Sequence, residues 1–215
     1  ENLLERGKAA GIEKFVILPV ALKPEYVMHV NDLAREEADA HPELIPFGTV
    51  HAEMDNMISE LERIGELGLH GIKIHPDTQL FSIDDKRLYP MYEWLRANGL
   101  PIILHTGDPR HDYSRPEKLK TVLKDFPGLI SVAAHFGGWS LFHDAYKALG
   151  DTDCYIDVSS SMMNMTEEEI YMYLNAYGED RILFGSDFPL WDPEKELDTF
   201  LNLKISDNMK EKILY

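Results

Sequence analysis

Short runs rich in Val and Ile alternate with amphipathic stretches along the chain, and the alternation predicts strands and helices in turn. An amphipathic helix is expected over residues 1–10. Strand-like runs follow at 15–20, 44–50, 70–75, 101–105, 129–135, 154–159 and 181–186. Between them lie helical patterns at about 24–41, 55–67, 84–98, 115–126, 141–149 and 166–177, with further helical segments filling the remainder. Strands alternating with helices of this length indicate a parallel α/β sheet. Because the runs are almost continuously apolar, the strands should be buried on both faces.

The punctuation agrees with these boundaries. Gly99 and Gly128 stand just past helix ends, where a left-handed cap is wanted. Asp55, Asp84 and Thr166 suit N-caps, and Thr166 with Glu169 reads as a capping box. The strand runs end at His51, His75, His105, His135, Ser159 and Asp187, with gaps of 24, 30, 30, 24 and 28 residues, each about one βα unit. Parallel strands wound in one sense bring their C-terminal ends to one face, where barrel active sites are built. Five of those six strand-end residues are His or Asp. The expected architecture is therefore an α/β fold of the (β/α)8 TIM-like barrel type.

Only seven strands are read, and 215 residues are slightly few for a complete barrel of roughly 250. The chain also starts at Glu1 and stops abruptly after Tyr215. The expectation is a single barrel domain over residues 1–215, lacking its first strand and trimmed at both ends.

Composition narrows the function classes. A formal charge of −17, from 38 acidic against 21 basic residues, opposes phosphate backbones and anionic lipid. Nucleic acid and membrane are thus excluded as expected partners, and no apolar run approaches the roughly 20 residues of a membrane span. The single cysteine, Cys154, fits a reducing, cytoplasmic setting and opens a buried strand, so an inert thiol is expected. No Gly-x-Ser-x-Gly elbow or phosphate loop is present.

The chemistry lies in three strand-to-turn segments. Pro101-Ile-Ile-Leu-His-Thr-Gly107 and Val132-Ala-Ala-His-Phe-Gly-Gly138 each carry an imidazole at the rim, and Arg181-Ile-Leu-Phe-Gly-Ser-Asp-Phe-Pro189 ends on a carboxylate. Tandem glycines let backbone or ligand approach closely. Two imidazoles and a carboxylate converging at strand ends suit a borderline divalent cation such as zinc. The loop 108–115 follows His105 directly, and its Arg110 or Arg115 could clamp a carboxylate, a solvated loop being the plain alternative. Trp139 and Trp191 are candidate pocket walls, with core packing an equal reading. Met162, Met163 and Met165 read as gap fillers rather than a lid. His51 reads as structural, and His29, His41 and His143 as surface residues.

Four segments, Gly71-Ile-Lys-Ile-His-Pro76, Leu104-His-Thr-Gly107, Ala134-His-Phe-Gly-Gly138 and Leu183-Phe-Gly-Ser-Asp-Phe-Pro189, resemble amidohydrolase family 2 of the amidohydrolase superfamily. That branch includes relatives of aminocarboxymuconate-semialdehyde decarboxylase. The resemblance covers nearly the whole chain and implies a distorted barrel with one metal, usually zinc. It makes His105 a metal ligand, His135 the catalytic histidine, and Asp187 both a ligand and a proton relay. The family's first strand carries a His-x-His pair, and no such pair occurs in this sequence. Lys73 corresponds to a lysine that some branches carboxylate to bridge two metals, an internal salt bridge being the other reading. His75 is open between ligand and substrate contact.

These readings converge on a metal-dependent hydrolase of the amidohydrolase type. It is expected to cleave a C–N or C–O bond of a small carboxylated substrate through metal-bound hydroxide. The sites are His135 and Asp187 for catalysis, His105 and Asp187 for metal, and His75, Arg110 and Trp139 for substrate. The cofactor is one divalent metal, zinc before manganese. Non-oxidative decarboxylation on the same residues is the alternative, and a metal-free ligand-binding barrel is the third reading. The partner is a small molecule; a homo-oligomer is allowed but not specified.

Overall fold

A computed structural model describes residues 3–215. The opening helix runs over Leu3–Ala9, and the first two positions expected in it, Glu1 and Asn2, lie outside the described residues. Strand β1 (Phe15–Ile17) pairs in parallel with β2 (Leu44–Pro46). A second parallel sheet runs in the order β3 (Gly48–Thr49), β4 (Ile72–Ile74), β5 (Ile102–Leu104), β6 (Ser131–Ala133), β7 (Tyr155–Asp157) and β8 (Ile182–Leu183). The run expected as one strand over 44–50 is split at Phe47. Its first half faces β1 and its second half faces β4, and Pro46 has no N–H to carry a ladder across the join. Phe47 N–H still donates to the Ile17 carbonyl, at 3.1 Å, and Gly48 N–H to that of Gly71, at 2.8 Å. Counted through the join, seven strands are present among the described residues, as expected.

Every strand is shorter than its apolar run, and residues past the C-terminal ends line the active face. Period-2 alternation divides the side chains between two cores. Ile72, Ile74, Ile102, Leu104, Ala133, Ile156 and Ile182 pack outward, in one cluster with helix residues such as Leu61, Leu95, Leu119, Leu149 and Phe200. Phe47, Ile103 and Val132 form a smaller inner cluster with Leu18 and Ile45. Strands β4 to β6 are buried throughout, whereas Val16 on β1 and Leu183 on β8 are exposed. Among the described residues, β1 and β8 each pair on one side only.

Two buried amides hold the strand ends. Asn31, on the helix Val27–Ala40, accepts from Thr49 N–H at 2.8 Å and donates to the Thr49 carbonyl at 3.1 Å, so its amide pairs with β3 as a neighbouring strand would. The same amide donates to Glu60, which Arg63 also engages. Gln79 donates to the carbonyls of Ala21 and Val50 and accepts from His75 N–H, each at 2.9 Å. It thereby ties the exits of β1, β3 and β4 together.

The helix ends follow the expected chemistry in part. Gly99 caps Tyr89–Asn98 with φ of 64°, and Thr166 and Glu169 complete the capping box of Glu167–Tyr177. Gly128 is left-handed too, but two residues beyond the cap at Phe126. Asp55 is not a cap: Asn56 holds that position before Met57–Glu66. Asp84 is displaced by Asp85, which caps the short 3-10 turn Lys86–Leu88 inserted ahead of the expected helix, while Asp84 accepts from Ser82.

Candidate metal centre and active-site cavity

The strand ends open into a cavity of about 1100 Å³. Its polar lining includes Lys73, His75, Asp77, His105, His135 and Asp187, and Trp139, Phe188 and Trp191 supply aromatic walls. The ladder explains who meets whom. Ile74 faces Leu104, so the next residues, His75 and His105, stand side by side and their rings stack, with centroids 3.9 Å apart and planes 9° from parallel. Leu104 faces Ala133, so the register sets Ala134, not His135, beside His105. His135 recovers the contact by adopting a left-handed backbone, φ 62°, and its Nε2 lies 3.0 Å from His105 Nδ1.

Left-handed non-glycine residues are uncommon and concentrate where a fold holds strain for function. Here His135, Phe136, Ser160 and Asp187 share that conformation, all at the ends of β6, β7 and β8. The glycines of the His-Thr-Gly and His-Phe-Gly-Gly motifs serve backbone approach. A Cβ on Gly107 would lie 2.5 Å from the carbonyl carbon of Gly138, and Trp139 N–H donates to the Thr106 carbonyl at 2.8 Å.

His75, Asp77 and His105 form a group whose ligand atoms all lie within 4.8 Å of one another. Nδ1 of His75, both carboxylate oxygens of Asp77 and Nε2 of His105 are buried without a hydrogen-bond partner. His105 Nε2 lies 3.8 Å from Asp77 Oδ2. Ser114 Oγ faces the Asp77 carboxyl and favours its charged form, without completing a bond of ordinary geometry. Burying such atoms unpaired is costly, so the cluster is one that a cation would complete. Two imidazole nitrogens and a carboxylate make three protein ligands, a donor set that fits a divalent transition metal.

Burial lowers the protonation tendency of all three cavity imidazoles. His75 is pushed down to about 4, chiefly by burial and then by the Lys73 and His135 charges. His105 lies far below the usual imidazole range, again through burial first, then His135, His75 and Lys73. Burial also lowers His135. Neutral imidazoles are the form that binds metal. Burial raises Asp77, and the nearby Asp108 charge adds to it.

Several expected residues take other parts. Asp187 lines the cavity but is exposed and lies outside the metal-spaced group; its Oδ2 accepts from Ser160 Oγ at 2.6 Å. His135 has both ring nitrogens engaged within the protein, Nε2 by His105 and Nδ1 by Ser159. Arg110 reaches the mouth, 5.7 Å above the Trp139 ring, but Asp108 occupies one edge of its guanidinium at 2.9 and 2.7 Å. Arg115 is outside the lining and stands nearest Asp112. Lys73 is buried and its ammonium makes no salt bridge among the described residues, which corrects the internal ion pair. Its nearest carboxylate influences, Asp157 and Asp187, act through space, and Asp157 directs Oδ1 at His135 N–H, Ser159 N–H and Ser159 Oγ instead.

The remaining sequence readings are met simply. His51 accepts from Glu53 N–H and packs edge-on against Phe81. His29 and His143 are exposed, and His41 is half-buried at a helix end. Cys154 is buried beside Ser131, and burial pushes its thiol up to about 11. Met162 fills the core while Met163 is exposed. Sequence reasoning missed Asp77 and Asp157. Both were visible in outline: Asp77 two residues past a strand-end histidine, and Asp157 as a carboxylate inside an apolar strand, two residues before Ser159 and therefore on its face. A buried carboxyl was missed as well: Glu196 is pushed up to about 7, by burial and by the charge of Asp187.

The fold is thus a parallel α/β one that gathers a cluster of metal-spaced donors at its strand ends. The chain belongs to the amidohydrolase family Amidohydro_2, whose model matches residues 4–215. Solved structures share the fold. An uncharacterized TIM-barrel protein from Bordetella bronchiseptica is 27% identical with a TM-score of 0.82, over 99% of this chain and 78% of that one. A 5-carboxyvanillate decarboxylase from Novosphingobium aromaticivorans, holding manganese and a nitrobenzoic acid, is 18% identical with a TM-score of 0.83, over 100% and 78%. A 2,6-dihydroxybenzoate decarboxylase from Rhizobium is 17% identical with a TM-score of 0.73, over 99% and 84%. No helix among the described residues is long and apolar enough to cross a membrane.

Proposed function

We propose that this protein is a metal-dependent decarboxylase of a small carboxylated aromatic acid. The observation that carries this reading is a single cavity joining the orphaned His75–Asp77–His105 donors, a buried lysine with no ion pair among the described residues, and aromatic walls. Support for decarboxylation over the hydrolysis expected first comes from the carboxyvanillate and dihydroxybenzoate decarboxylases of the same fold. The orphaned donors speak against a metal-free barrel.

A bound divalent cation would supply positive charge that holds the substrate's oxygen donors and stabilises the electron pair left as the carbon–carbon bond opens. His75, Asp77 and His105 would hold it. Manganese is the first ion to test, because the carboxyvanillate decarboxylase carries it, with zinc the competitor. Burial pushes the Lys73 ammonium below its ordinary range, against the Asp157 and Asp187 charges. A substrate carboxylate would favour its charged form and be held by it at the cavity floor. Trp139 stacks on the ring, and Arg110 guides the carboxylate at the mouth with its free guanidinium edge. Asp187 relays to the ring carbon the proton that replaces the departing carboxyl, taking it from water. Its exposure lets water recharge it, and Ser160 holds its other oxygen. His135 acts through His105. The protein is proposed to work on a soluble small molecule in the cytoplasm, where the free thiol of Cys154 stays reduced.

The test is product analysis on manganese-loaded protein, with hydroxylated benzoic acids in one arm and amide, ester and lactone substrates in the other. Carbon dioxide released from the first arm supports the reading. Amine or alcohol released from the second, with no carbon dioxide from the first, overturns it.

A further inference from the structure

Beyond the cation cluster runs a chain of hydrogen bonds whose direction is fixed at one end. Asp157 Oδ1 lies 2.5 Å from Ser159 Oγ. A carboxylate only accepts, so the Ser159 hydroxyl spends its one proton there. The Ser159 Oγ is then an acceptor toward His135 Nδ1, at 2.9 Å. The Ser159 carbonyl, 3.1 Å from the same nitrogen, can only accept as well. Both neighbours of His135 Nδ1 therefore require it to carry the proton. In a neutral imidazole the other nitrogen is then an acceptor. His135 Nε2 faces His105 Nδ1 at 3.0 Å, which makes His105 Nδ1 the donor and leaves the lone pair on His105 Nε2. That Nε2 is the buried, unpartnered atom that points into the group with His75 and Asp77.

We infer that Asp157, acting through Ser159 and His135, sets the tautomer of His105 so that its Nε2 lone pair is presented to a divalent cation. Asp157 and Ser159 are thus positioning residues. They lie on β7 and just past it, two strands from the ligand they orient. The alternation of the Tyr-Ile-Asp-Val-Ser segment puts them on one face. Outer partners of ligating histidines commonly change metal affinity by 10- to 100-fold. The inference rests on the His75–Asp77–His105 cation site, but its first measurement does not require metal.

The experiment has two parts. Imidazole 15N spectra of metal-free protein, labelled at histidine, report which ring nitrogen carries the proton. The expected result is Nδ1–H on both His135 and His105. An Nε2–H form of His105, or a doubly protonated His135, overturns the inference whatever the metal does. Manganese binding is then titrated calorimetrically on the wild type, Asp157→Ala and Ser159→Ala. Asp157→Ala, which removes the Oδ1 acceptor of all three bonds, is expected to weaken binding by 10-fold or more. Ser159→Ala, which keeps the carbonyl acceptor and the backbone anchors of Asp157, is expected to weaken it less and to remain folded. Unchanged affinity in both variants overturns the inference while leaving the cation site standing. Failure of the wild type to bind manganese, with the expected tautomers present, overturns the cation site and the inference with it.

Discussion

The imidazoles of His75 and His105 lie face to face at 3.9 Å, 30 residues apart in sequence and each just past the end of its strand, β4 and β5. Two protonated rings could not share that separation without strong repulsion, and burial keeps both neutral. Each presents an unpartnered nitrogen beside the carboxylate of Asp77. The pair reads as two sides of a cation site.

Removing one of the three donors should therefore cost metal before it costs fold. Asp77→Asn and His105→Ala are expected to lower manganese affinity at least tenfold, with far-ultraviolet circular dichroism unchanged. Calorimetric titration at neutral pH checks this, and full affinity in both variants would place the cation elsewhere.

Asp187→Asn should reduce turnover by about 10²- to 10⁴-fold, the usual contribution of a positioned general acid. Because Asp187 lies outside the metal-spaced group, manganese affinity should stay within a few-fold of wild type. A large loss of metal in this variant would instead return Asp187 to the ligand role that family resemblance implied.

Glu196 makes stability depend on pH. Its carboxyl is raised to about 7, so the folded state holds a proton that the unfolded chain releases near the ordinary glutamate value of 4.5. Its contribution is fully present below about pH 4.5 and declines as pH rises through 7. Glu196→Gln should remove that decline, stabilising the protein at pH 8 by roughly 1–2 kcal/mol after discounting for the solvated neighbour Asp187, and by little at pH 4.5. Denaturant midpoints at the two pH values check the sign.

Asn31→Ala should destabilise by roughly 2–3 kcal/mol, because it leaves the buried N–H and C=O of Thr49, and part of Glu60, without partners. Urea unfolding measures it. A change below about 0.5 kcal/mol would mean that water replaces the amide.

Much of the architecture was legible because parallel strands buried on both faces write themselves as apolar runs, and the βα interval repeats. The equal spacing of His75, His105 and His135 put all three at strand ends but carried no information on register. Only the first two are true ladder neighbours, and His135 arrives through a left-handed turn that no periodicity records. Asp77 escaped because it follows Pro76 on a short helix after β4, beyond the strand end that alternation tracks. Asp157 escaped because, within a strand, its carboxylate looked like an interruption of the apolar run; its meaning lies in the donors it gathers from β6 and the β7 loop. Caps shifted by one residue, from Asp55 to Asn56, which makes no side-chain cap bond, and from Asp84 to Asp85, whose carboxylate takes the Arg87 N–H.

The most direct measurement of the central claim is carbon dioxide release from a hydroxybenzoic acid labelled with 13C at its carboxyl, run in D2O with manganese-loaded protein. The account predicts one labelled carbon dioxide per product, one deuterium at the vacated ring carbon, and loss of both on chelation. Contradiction would be hydrolysis of an amide, ester or lactone by the same loaded protein with no labelled gas from any hydroxybenzoate.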